Sequence, residues 1–304
     1  MARLALKVDV DTYVGTARGI PPLLDLFDRL GVRATFLFSV GPDNTGRAIR
    51  RIFRPGFFGK VRRTSVVSNY GLRTLLNGTL LPGPHIGRKL GHVMQAALRR
   101  GHEVGLHAYD HVAWQDRVAE RDRSWTLNEL DKGMDAFHSA LGTAPSTIGA
   151  AGWQVNAHVP ELEDRLGFDY ASDTRGERPF RPLTHRGDRA RCVQLPTTLP
   201  TLDELLGTVA TDGDDLVRTL LGLTEDASRD QVFTLHAELE GLRYIDCFER
   251  LLVGWRNQGH DPGRLQDNYN ALDVAVIDAQ RLGWTELPGR TGRVAAAHLE
   301  TSLP

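Results

Sequence analysis

Four residues in this 304-residue chain are of types and spacings that can do chemistry together: Asp9 and Asp11 in KVDVDT, and His107 and His111 in EVGLHAYDH. Two imidazoles and one carboxylate make a facial set for a divalent cation, with positions left open for water and substrate. Side chains two apart on a strand share a face, so Asp9 and Asp11 point the same way; one can ligate while the other stays free as a base. Histidines four apart share a face if the run begins a helical turn. HxxxH alone is a weak signal. The earlier DxD makes metal binding the stronger reading, against surface histidines and a carboxylate pair that merely caps a helix.

Something must bring these segments together. Strand-like runs, apolar or β-branched and bounded by Gly and Pro, are predicted at Leu4 to Val10, Ala34 to Val40, Glu103 to His107, Ser146 to Ala150, Asp169 to Asp173, Val193 to Pro196 and Val232 to Ala237, with a short eighth near Asp267. Helical patterns lie between them. IPPLLDLFDRLG has Pro21 and Pro22 at its start and Gly31 at its end, and LNELDKGMDAFHSALG carries Leu127, Leu130, Met134, Phe137 and Leu141 at helical spacing. Alternation of this kind predicts parallel strands in an α/β architecture, whose chemistry gathers at the C-terminal strand ends. Those ends carry Asp9 and Asp11, His107, Asp173, and His236 with Glu238.

Composition bounds the rest. Hydrophobic residues are 41% and charged residues 25%, as in an ordinary folded protein. The two cysteines, Cys192 and Cys247, form neither a CxxC nor a disulfide framework, which favours a reducing compartment. MARLALKVDV is too short an apolar run for a signal peptide, and no 18-residue apolar stretch predicts a membrane span. The net charge of −1 hides an asymmetry: from Asn44 to His102 there is no Asp or Glu, yet the stretch holds 12 of the 37 Lys and Arg residues. Such a segment suits an anionic partner.

GHEVGLHAYDH resembles the signature of the NodB-type polysaccharide deacetylases, carbohydrate esterase family 4. KVDVD resembles that family's first motif and FTLHAE its last. The resemblance implies a distorted (β/α)7-8 barrel, over about residues 1–290, with a basic, apolar insertion at about 44–95 and a tail at 291–304. It further implies a divalent metal (zinc, cobalt, manganese or nickel) on Asp11, His107 and His111, with Asp9 as general base and His236 as general acid. Many members carry a third-motif arginine that orients the catalytic aspartate; here that stretch reads GAAGW. Arg175 in SDTRG is the expected replacement, with Asp173 orienting His236.

FSVGPDNTGR, EVGLHAYDHVAW, AAGW, SDTRG with PFRP, LPTTLPT and HAELEG are similar to one branch of the family, the deformylases of a polyprenyl-phosphate-linked 4-deoxy-4-formamido-L-arabinose, which act in the modification of lipid A with aminoarabinose. The resemblance implies metal-assisted hydrolysis of the N-formyl group, to formate and free amino sugar. Two alternatives remain: an N-deacetylase of another amino sugar or glycan, and a non-catalytic protein that binds a lipid-linked sugar. For such a substrate the acid-free region has a purpose. Arg47 to Arg63, RAIRRIFRPGFFGKVRR, interleaves basic with apolar residues, as a segment docking on an anionic membrane surface does. The expected location is peripheral, on the cytoplasmic face of the membrane. No nucleic-acid module is recognisable.

Overall fold

A computed structural model describes residues 2–52, 77–79 and 81–297. Most of the predicted segment Arg47 to Arg63 lies outside the described residues. The strands are β1 Leu4–Val10, β2 Thr35–Ser39, β3 Glu103–Ala108, β4 Thr147–Ile148, β5 Tyr170–Ala171, β6 Arg181–Pro182, β7 Val193–Gln194, β8 Gln231–His236, β9 Pro262–Gly263, β10 Ala279–Gln280, β11 Leu282–Glu286 and β12 Arg293–Ala297. One sheet runs β7-β5-β4-β3-β2-β1-β8, with β9 beside the start of β1. All its pairings are parallel. The sheet curls so that the segment following β7 meets β8: Thr197 and Thr234 hydroxyls lie 2.7 Å apart, Val232 N–H donates to Thr198 Oγ1 at 2.9 Å, and Thr198 N–H donates to Val232 O at 3.1 Å. This is the distorted α/β barrel expected from the alternation of elements.

Period two sorts the two faces. Leu4, Leu6, Val8 and Val10 of β1 point outward into the main core, with Phe36 and Phe38 of β2 and Phe233 and Leu235 of β8. The odd positions turn inward. Ala5 packs in a separate cluster with Tyr170, Val193, Leu195, Val232 and Leu265. Above Ala5 the inward face of β1 carries Lys7 and Asp9, and Asp11 follows just past its end, so these three residues rise in succession towards the barrel's C-terminal mouth.

The helices that cover the outer face follow their sequence signals. Ile20–Leu30 opens on Pro21 and Pro22, stops at Gly31 with φ 63°, and buries Ile20, Leu23, Leu24, Leu26 and Phe27. Each such buried side chain contributes about 1.5–3 kcal/mol. The helix expected at LNELDKGMDAFHSALG starts earlier, at Arg123, because the Asp122 carboxylate caps it by accepting from Trp125 N–H.

Three expectations are revised. Asp267 lies in the helix Leu265–Asn270, capped by Arg264, and the nearby strand is the two-residue β9. Residues 293–297, expected in a tail, form β12 with Val294, Ala295 and Ala296 buried; β12 pairs antiparallel with β11, and Ala295 O accepts from Arg175 N–H at 2.8 Å. Of the expected insertion, Thr45–Ile52 is helical, but Ile86–Arg99 is a helix of the barrel's own outer layer, with Ile86, Leu90, Val93, Met94 and Ala97 buried.

Candidate active site and metal centre

The mouth of the barrel gathers the residues that the strand ends carry. Asp9 is register partner to His236 on the neighbouring strand β8. His107 is the penultimate residue of β3, and His111 is the first residue of the helix His111–Arg117. The two rings therefore meet across a strand-to-helix corner, with centroids 5.2 Å apart, and not along one helix face. Asp110 fixes that corner. Its Oδ1 caps the helix by accepting from Ala113 N–H at 3.0 Å, and its Oδ2 accepts from Asn44 Nδ2 at 2.6 Å.

Asp11 Oδ1 lies 3.2 Å from His107 Nε2 and 3.3 Å from His111 Nε2. The donor atoms of Asp11, His107 and His111 all fall within 4.8 Å of one another. His107 Nδ1 is 2.6 Å from Gly149 O; that carbonyl can only accept, so the Nδ1–H donates and Nε2 presents its lone pair to the centre. Asp11 Oδ1 is buried with no hydrogen-bond partner among the described residues. One carboxylate and two imidazole nitrogens converging on a point suit a divalent cation, so the residues present fit the expected metal.

The electrostatics favour the same reading. Burial opposes ionisation of Asp11, yet its neighbour His111 holds the carboxyl well below the usual range. Asp9 is buried at 3% exposure; its Oδ1 has no partner among the described residues, and its Oδ2 lies 3.5 Å from Lys7 Nζ. Burial opposes a charged His236, but Asp203, Asp11, Glu240 and Asp9 push its ring up to about 9. Its nearest carboxylate contact is Asp203, with Oδ1 3.9 Å from His236 Nδ1. Behind the site, Glu238 Oε1 accepts from Thr12 N–H at 2.9 Å and from the Thr12 hydroxyl at 2.7 Å, and so pins the turn after Asp11. Burial and then Asp11 push Glu238 up to about 8. A Cβ on Gly15 would stand 1.9 Å from Glu238 Oε1, so only glycine admits this approach.

Two expected residues sit elsewhere. Arg175 turns away from Asp9: its guanidinium pairs with both oxygens of Glu204 at 2.7 and 3.0 Å and donates to Leu199 O at 3.0 Å. Asp173 does not reach His236; it accepts from Ala150 N–H at 2.6 Å and from Gln194 Nε2 at 2.7 Å. Both brace the loops after β4 and β5. The residues found beside Asp9 and His236, the expected base and acid, are Lys7 and Asp203. The signal for Lys7 was present in KVDVDT, because period two puts positions 7, 9 and 11 on one face. Asp203 sits in the first turn of the short helix Leu202–Leu205, behind a Thr201/Glu204 capping box, where an acid reads as a helix-start residue.

Solved structures share the fold. The fold matches a Mycobacterium smegmatis protein named for polysaccharide deacetylase activity with a TM-score of 0.64, at 18% identity, over 94% of this chain and 95% of that one. It matches the PuuE allantoinase at 0.59, at 16% identity, over 88% and 90%. The architecture is thus that of the NodB-type polysaccharide deacetylases. No family model matches the chain. Among curated proteins, the chain is 40% identical over 253 residues to the probable 4-deoxy-4-formamido-L-arabinose-phosphoundecaprenol deformylase ArnD of Shewanella sediminis, covering 83% of this chain and 81% of that protein. It is 31% identical over 283 residues to the protein of the same name from Wigglesworthia glossinidia brevipalpis, over 93% and 98%. The chain belongs to this ArnD deformylase family.

Proposed function

We propose that this protein hydrolyses the N-formyl group of a polyprenyl-phosphate-linked 4-deoxy-4-formamido-L-arabinose, giving formate and the free amino sugar. The observation that carries the reading is the convergence of Asp11, His107 and His111 beside an unpartnered, buried Asp9 oxygen, in a chain whose curated relatives bear that name. A divalent cation held by Asp11, His107 Nε2 and His111 Nε2 would supply Lewis-acid polarisation of the formamide carbonyl and make a water acidic enough to attack near neutral pH. Zinc, cobalt, manganese and nickel all suit the donor set.

The remaining steps belong to the chain. Asp9 Oδ1 takes the proton of the attacking water as the new C–O bond forms at the formyl carbon. His236, whose pKa is raised to about 9, is charged at neutral pH. With Nδ1 turned to Asp203, Nε2 is the nitrogen free to give its proton to the leaving amine as the C–N bond breaks. Each of these proton transfers accounts for roughly 10²–10⁴ in rate.

No described helix is long and apolar enough to cross a membrane. We place the enzyme at the cytoplasmic membrane surface, where the basic and apolar Arg47 to Arg63 segment would meet anionic lipid and bring the mouth to a lipid-linked sugar. The test is product release from a polyprenyl-phosphate-linked formamido sugar, with metal returned to stripped protein. Formate from wild type, with release slowed roughly 10²–10⁴-fold in Asp9→Asn or His236→Ala, is expected. Acetate from an N-acetyl sugar, with no formate from the formamido sugar, would move the reading to a deacetylase.

A further inference from the structure

The geometry points to Lys7 as the residue that positions Asp9, the fixed cation that the GAAGW stretch does not supply. This rests on the proposed reading of Asp9 as the base, and it adds a residue with no part in that reading so far. Lys7 is fully buried in the barrel, two residues before Asp9 on the same inward face of β1. A lysine with no exposed surface is strongly disfavoured unless its charge is compensated. The compensation is specific: Nζ donates to Ser172 O at 2.7 Å, stands 3.5 Å from Asp9 Oδ2, and lies 5.3 Å from the centroid of the Trp153 ring.

Each contact comes from a different strand or strand end, so the ammonium is triangulated. Ser172 follows β5, Asp9 belongs to β1, and Trp153 lies in the loop after β4. Trp153 has φ 54°, a left-handed value that a bulky residue adopts only when its surroundings require it. The ring it places is also flanked by Arg175 at 5.1 Å and Arg290 at 4.5 Å. The indole is thus a wall between three cations, of which only Lys7 reaches the proposed base.

The consequence for Asp9 is directional. With Oδ2 turned to Lys7, the other oxygen, Oδ1, is the one left without a hydrogen-bond partner among the described residues, 3.9 Å from Nδ1 of the His107 ring. Lys7 therefore selects which carboxylate oxygen faces the reacting water and keeps the side chain from rotating. Gly149 leaves room beside the lysine, since a Cβ there would stand 3.2 Å from Lys7 Cε and 2.4 Å from Leu37 Cδ1. The same glycine's carbonyl accepts from His107. One small residue after β4 thereby sets both the lysine behind the base and the tautomer of a metal ligand.

The test compares wild type, Lys7→Met, Lys7→Gln, Lys7→Arg and Asp9→Asn, each loaded with metal and assayed on the lipid-linked formamido sugar, with metal content and circular dichroism recorded. Lys7→Met and Lys7→Gln are expected to lose roughly 10- to 1,000-fold in kcat while KM stays within about threefold and metal content is unchanged, because the loss concerns orientation and not ligation. Lys7→Arg, which keeps the charge, is expected to recover most of the loss. Full kcat in Lys7→Met or Lys7→Gln beside an inactive Asp9→Asn overturns the inference and leaves the base intact. Full kcat in Asp9→Asn overturns the reading of the base beneath it. If Lys7→Met does not fold, Lys7→Gln and Lys7→Arg decide the matter: equal turnover in those two refutes the requirement for charge.

Discussion

The Nδ1–H of His107 donates to the carbonyl of Gly149 across 2.6 Å, and the partner is a backbone atom of the strand end next door. A metal ligand held by backbone keeps its orientation as long as that peptide stays in place.

A binding measurement separates the ligands from their support. Wild type is expected to hold about one divalent ion per chain, and Asp11→Ala or His107→Ala to lose it on dialysis. Gly149→Ala keeps all three donors, but its Cβ would sit 2.4 Å from Leu37 Cδ1 and 3.2 Å from Lys7 Cε, so the peptide is pressed away from the buried Leu37 and Lys7 side chains. The expected result is metal affinity weakened by roughly 10- to 100-fold, read by competition with a chromogenic chelator. Unchanged affinity in Gly149→Ala would show that the carbonyl is not what orients His107.

Much of this was legible in the sequence, for reasons that particular residues make plain. The DxD and HxxxH runs stand at strand ends, where local spacing and the parallel α/β rule together determine which atoms converge. The placement of Arg175 and Asp173 is not legible there, because both depend on which loop folds back over which strand end. SDTRG carries the right residue types, but Glu204 from another loop captures the arginine, and Gln194 with Ala150 N–H captures the aspartate. The start of β12 was hidden for a similar reason. RVAAA has no strong strand signal, and its burial comes from β11 and the Arg175 loop beside it.

Arg175 is expected to matter for stability rather than turnover. It pairs with Glu204 through two bonds in the interior, and burial pushes its guanidinium down from the usual arginine range while Glu204 opposes that. Removing one partner of such a pair strands the other charge and costs about 3–5 kcal/mol. Arg175→Met should therefore unfold at markedly lower denaturant than wild type, while metal-loaded folded protein keeps its metal content. Loss of metal without loss of stability would restore Arg175 to the site.

His102 provides a handle on acid stability at the opposite end of β3. Its Nδ1 accepts from Ala34 N–H at 3.1 Å, its ring packs on Phe27 and Phe36, and burial, with help from Arg33, pushes its pKa down to about 4. The folded protein keeps this ring neutral, while the unfolded chain takes up a proton near pH 6.5. The associated stability is present above pH 6.5 and is lost as pH falls towards 4, by up to about 3 kcal/mol at 1.36 kcal/mol per unit. His102→Asn places an acceptor near the same N–H but cannot take the proton, so its denaturation midpoint should fall less between pH 6.5 and 4 than that of wild type. Parallel curves for the two proteins would exclude His102 as the source.

Asp203 gives the sharpest pH signature. Burial works against its carboxylate, but His236 and Arg290 hold it below the usual range, and Asp203 is in turn the foremost of the carboxylates that raise His236 to about 9. An acid must be protonated to act, so kcat/KM should fall on the alkaline side as His236 loses its proton. Asp203→Asn removes the nearest negative charge and keeps the shape; the pKa of His236 must then drop, and the alkaline limb should move to lower pH by about one unit or more. A limb that stays put in Asp203→Asn, while His236→Ala abolishes it, would mean that the remaining carboxylates set the acid's pKa without Asp203. A limb that survives in His236→Ala would assign the proton to a different donor.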